Sequence, residues 1–80
     1  MIRVIFRKFV RENNIIAFFP DMKDRHLIMS YMYIGQHGLA DYDYCLGKTS
    51  IALKSEYKSL LNELISVGYT DLKIMLKFKR

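Results

Sequence analysis

Eighty residues, 51% hydrophobic and 26% charged, describe one small globular unit rather than a disordered tail or a pair of domains. A chain of this length folds to a radius of gyration of about 12 Å and buries only about 60% of its unfolded surface, which argues against a deep cofactor cradle. Thirteen Lys and Arg against eight Asp and Glu give a net charge of +5, a bias toward acidic or phosphate-bearing partners, and the single cysteine, Cys45, excludes an intramolecular disulfide and fits a reducing, cytoplasmic setting.

Residues 2 to 9 alternate: Ile2, Val4 and Phe6 share one side, and Arg3, Ile5, Arg7 and Phe9 the other. Period two with β-branched and aromatic residues predicts a strand. The charges at Arg3, Arg7 and Lys8 break up any signal-peptide core. Arg11 to Asn14 suits a hairpin turn, and Ile15 to Phe19 the returning strand, which Pro20 is expected to end because it cannot donate to a ladder. That apolar run is far shorter than the roughly 20 residues a membrane-spanning helix needs, so no membrane partner is expected.

His26 to Ile34 reads as a third strand, apolar on both faces and therefore central or covered on both sides. Gly35 to Lys54 reads as irregular, with room for one helical turn near residues 40–46. From Ser55 to Val67 the period changes to 3.6: Tyr57, Leu60, Leu61, Leu64 and Ile65 form one helix face, Gly68 stops it, and Ser50 and Ser55 compete for the N-cap. Asp71 to Phe78 alternates again as a final strand. The expected fold is a single α+β domain over residues 1–80, a two-layer sandwich in the order βββ-loop-α-β. One helix would pack on a four-stranded, mainly antiparallel sheet, with the last strand parallel to and beside the first.

The motifs that suggest chemistry are incomplete. Gly47-Lys48-Thr49 ends like a phosphate loop, but Tyr42 occupies the place of its first glycine. Asp41-x-Asp43 opens like a calcium loop, yet its sixth position is Leu46 and its twelfth Ala52. His37 and Cys45 allow a thiol–imidazole pair or a metal site to be imagined, but with His26 they are the chain's whole supply of His and Cys, fewer than the four ligands of structural zinc. No catalytic residue, metal ligand or cofactor is assigned, and the chain reads as a non-enzymatic binding protein.

Two surfaces compete for the binding role. If the helix covers the Ile2–Val4–Phe6 side, then Arg3, Arg7, Lys73 and Lys77 share an open face with Ile5, Phe9 and Met75. Cations among aromatics on an open sheet suit single-stranded nucleic acid, and apolar groups ringed by cations equally suit a protein partner. The second surface is the loop carrying Gln36, His37, Asp41, Tyr42, Asp43 and Tyr44, where the two tyrosines, spaced for one side of an extended segment, either dock a basic partner or pin the loop to the sheet. A protein partner is the leading expectation and nucleic acid the alternative, with the chain acting as a monomer or homodimer.

The segments Arg3-Val4-Ile5-Phe6-Arg7-Lys8-Phe9, Ala17-Phe18-Phe19-Pro20, Ser30-Tyr31-x-x-x-Gly35-Gln36-His37-Gly38-x-Ala40-Asp41-Tyr42 and Glu56-Tyr57-x-x-Leu60-x-x-Glu63-Leu64-x-x-x-Gly68-Tyr69 cover nearly the whole chain. Together they resemble a group of short uncharacterised proteins encoded in bacterial genomes, mobile elements and bacteriophages. The resemblance carries no activity and no catalytic residue, and it implies a small accessory protein that binds a host or viral component. Two positions depart from the group: Tyr33 stands where a histidine is common, against a two-histidine site with His37, and Leu53 stands where a threonine caps the helix.

Overall fold

The computed structural model of the protein describes residues 2–25, 27–32 and 36–76. Its elements are β1 (Ile2–Phe9), β2 (Ile15–Asp24), β3 (Leu27–Met32), β4 (Gln36–Ala40), α1 (Tyr42–Leu46), β5 (Thr49–Ile51), α2 (Lys54–Ser66) and β6 (Leu72–Met75). The fold is α+β: a six-stranded sheet ordered β4-β3-β2-β1-β5, with β6 also paired to β1. β1 to β4 form an antiparallel meander. β6 runs parallel to β1 over Ile2–Ile5, as expected of the last strand, while β5 pairs antiparallel with Arg7–Phe9 of the same strand. β5 and β6 therefore divide one edge of β1 between them.

The alternation of β1 sorts side chains into two apolar layers. Ile2, Val4 and Phe6 join Ala17, Phe19 and Tyr31 beneath α2, where Leu60 and Leu64 are buried and Tyr57 and Leu61 pack alongside. Phe6 stacks on Tyr57 at 4.4 Å between ring centroids, and Phe19 on Tyr69 at 5.0 Å. The Tyr31 hydroxyl reaches across this layer to the Glu63 carboxylate of α2. On the opposite side Ile5, Ile16, Phe18 and Ile28 pack with Tyr42 of α1, whose ring meets Phe18 edge-on at 5.2 Å.

α2 ends as its sequence requires. Gly68 adopts φ +116, and the amides of Gly68 and Tyr69 donate to the carbonyls of Ile65 and Leu64, closing a Schellman motif that delivers Tyr69 to Phe19. At its start the N-cap is Leu53, not Ser50 or Ser55. Leucine offers no side-chain acceptor, so Glu56 supplies the reciprocal half of a capping box by accepting from the Leu53 amide at 2.8 Å.

Several expectations are corrected. Among the described residues the sheet has six strands rather than four, and two helices accompany it rather than one. Pro20 does not end β2: it is buried inside the strand, where the register breaks between Phe19 and Lys23 and no regular ladder bond is needed from its nitrogen. The stretch from Gly35 to Lys54 is not an irregular loop but carries β4, α1 and β5. Ile65 lies off the buried helix face, 52% exposed. The strand expected to reach Phe78 is described only as Leu72–Met75, and of the strand expected over His26–Ile34 the described part is Leu27–Met32.

Candidate functional site

The basic residues Arg3, Arg7 and Lys73 do lie on the face with Ile5, Phe9 and Met75, as β1 and β6 pair in register there. That face is not open, however. Ile5 and Phe18 are fully buried beneath α1, and Phe9 and Met75 pack against the same layer. The expected open platform is in fact a second core.

Two of its cations are also engaged. Arg7 donates from Nε to the Thr49 hydroxyl at 3.0 Å and from its terminal nitrogen to the Thr49 carbonyl at 2.8 Å, and the Thr49 hydroxyl donates onward to the Cys45 carbonyl at 2.8 Å. One arginine thus ties β1 to β5 and to the end of α1. Arg3 forms a two-pronged pair with Asp21, which holds that carboxyl below the usual aspartate range by hydrogen bonding and raises the guanidinium in turn. Both partners are exposed, so salt screens the pair. Lys73 stands exposed on β6. Lys77 lies outside the described residues.

The second candidate group divides by helix geometry. Asp41 is the N-cap of α1, its carboxylate accepting from the Tyr44 amide at 3.3 Å. Tyr42 and Tyr44 are not on one side of an extended segment: two residues apart on a helix, they point away from each other. Tyr42 is 2% exposed and plugs the core, which makes it the residue that pins this segment, whereas Tyr44 is 64% exposed with the Lys48 ammonium 5.2 Å from its ring centre. Asp43 is exposed in the first turn of α1. Gln36 and His37 belong to β4.

The backbone of His37 pairs in register with Tyr31, and Cys45 packs in the α1-side layer. Burial, and then the Asp41 carboxylate, push the Cys45 thiol up, away from the reactive thiolate. Among the described residues no three His, Cys, Asp or Glu side chains gather as a metal cluster. A groove of about 330 Å³ runs between Phe9–Glu12 and Gly47–Lys48. No described helix is long and apolar enough to cross a membrane.

The feature that sequence reasoning missed is the β4 edge. Among the described residues β4 pairs only with β3, so its outer N–H and C=O groups face away from the sheet. Gln36-His37-Gly38-Leu39-Ala40 contains no Lys, Arg, Asp, Glu or Pro, the residues that usually blunt an edge strand. Gly38 and Leu39 are exposed, Leu39 by 46%, and a Cβ placed on Gly38 would meet no atom within 4 Å. The far edge is built differently: β5 and β6 are three and four residues long and pair with different parts of β1, Arg7–Phe9 and Ile2–Ile5. The signal available in the sequence was the uncharged run itself, directly after a strongly predicted strand.

Comparison of the chain with protein-family models, with curated proteins and with solved structures finds no match.

Proposed function

We propose that the protein is a non-enzymatic binding module that engages a protein partner through the β4 edge. The observation that carries this reading is the uncharged edge of β4, which no strand among the described residues covers, in a chain of net charge +5. An extended segment of a partner adds to such an edge through main-chain hydrogen bonds, and side chains beside the edge supply selectivity. Leu39 is the exposed side chain of β4 placed for that second task. The closure of both sheet faces supports an edge over a face. The resemblance to short proteins of phages and mobile elements supports an accessory role, and the lone free Cys45 fits work in the cytoplasm.

The test compares wild-type protein with Leu39→Lys and Lys73→Glu as baits in extract of the native host. A partner protein retained by Lys73→Glu and lost by Leu39→Lys is expected. Nucleic acid captured instead, with binding that falls steeply with salt and with Lys73→Glu, would replace this reading by the nucleic-acid one.

A further inference from the structure

We infer that the occupant of the β4 edge is a second copy of this chain, paired antiparallel about Gly38 to extend the two sheets into one. The inference rests on the edge reading above and adds the identity of the partner. A two-fold axis at Gly38 sets Gly38 opposite Gly38 of the other copy, His37 opposite its Leu39, and Gln36 opposite its Ala40, so that all five residues of β4 find a partner.

Charge singles out this edge for self-association. A second copy brings the same +5, and β4 is free of the lysine and arginine that would repel a like strand. The opposite edge cannot serve in the same way, because β5 and β6 interrupt each other and Lys73 sits on β6. Five paired residues make a small interface, which places the dimer among weak, concentration-dependent assemblies.

The register gives a geometric test. Residues directly opposite in an antiparallel pair have Cα atoms about 4.5–5.5 Å apart, inside the range a disulfide spans, whereas the two copies of residue 39 would be about 8 Å apart, beyond it. In a Cys45→Ser background, Gly38→Cys is expected to crosslink two copies under oxidised glutathione, and Leu39→Cys is not. Sedimentation of the unmodified chain from about 10 μM to about 1 mM should show monomer passing to dimer, with Leu39→Lys holding it monomeric and its circular dichroism unchanged. Persistent monomer across that range, a dimer that survives Leu39→Lys, or equal crosslinking through position 39 would overturn the proposal. If the chain is monomeric but Leu39→Lys still abolishes capture of a different protein, the edge reading stands and only the second copy is eliminated.

Discussion

The two faces of the sheet bury side chains to the same depth by different means. On one, a thirteen-residue helix lays Leu60 and Leu64 on Val4, Phe6 and Phe19, and two stacked aromatic pairs lock it down. On the other, a helix of five residues, too short to stand alone, covers Ile5 and Phe18 with a single ring, Tyr42. That short helix is held by what surrounds it: the Asp41 cap, the Thr49–Cys45 hydrogen bond, and Arg7 behind Thr49. The contrast teaches that a minimal chain closes a second core with one well-placed aromatic and a polar clamp, and that doing so removes the open face on which a partner would otherwise be sought.

The comparison breaks first where packing is densest. Leu64→Ala, at a fully buried site under α2, is expected to destabilise by about 2–5 kcal/mol in urea unfolding. A smaller loss, about 1.5–3 kcal/mol, is expected from Arg7→Ala, because Thr49 loses both guanidinium bonds. Arg7→Lys should recover little of it, since an ammonium cannot reproduce the two-pronged geometry.

The long helix carries a flaw that the short one lacks. Asp41 caps α1 with its side chain, but Leu53 leaves α2 uncapped by any side chain although Glu56 is already in place for a complete box. Leu53→Thr should therefore raise stability by about 1 kcal/mol, read as a shift of the urea midpoint. The weakest effect is electrostatic. The Leu53 amide, and then Lys8, hold the Glu56 carboxyl below its ordinary range. A folded value below the unfolded one means its contribution is complete above the ordinary carboxyl range and is lost as pH falls below it. Glu56→Gln should flatten the acid limb of a stability–pH curve and leave the neutral-pH slope unchanged.

The parts legible in the sequence were those with enough repeats to show a period. Eight alternating residues gave β1 and the membership of both its faces, and Tyr57, Leu60, Leu61 and Leu64 gave α2 and its packing. Gly68 marked the helix stop because a positive φ is needed there. The stretch from residue 36 to 51 was illegible for the opposite reason: elements of five, five and three residues are too short for a period to emerge from composition. Pro20 misled because its rule holds for a regular ladder, and β2 is irregular at that point. For the candidate surfaces, alternation placed Arg3, Arg7 and Lys73 on one face correctly but carried no sign that Tyr42 roofs it. Tyr42 and Tyr44 look equivalent in sequence, and only the helix between Asp41 and Gly47 separates plug from surface.

The measurement that bears most directly on the closed second face is the unfolding free energy of Tyr42→Ala set beside that of Leu64→Ala under the same conditions. If α1 closes a true core, Tyr42→Ala costs about 3 kcal/mol or more, comparable with Leu64→Ala. A loss within about 0.5 kcal/mol, as for an exposed side chain, would contradict it and reopen that face to a partner.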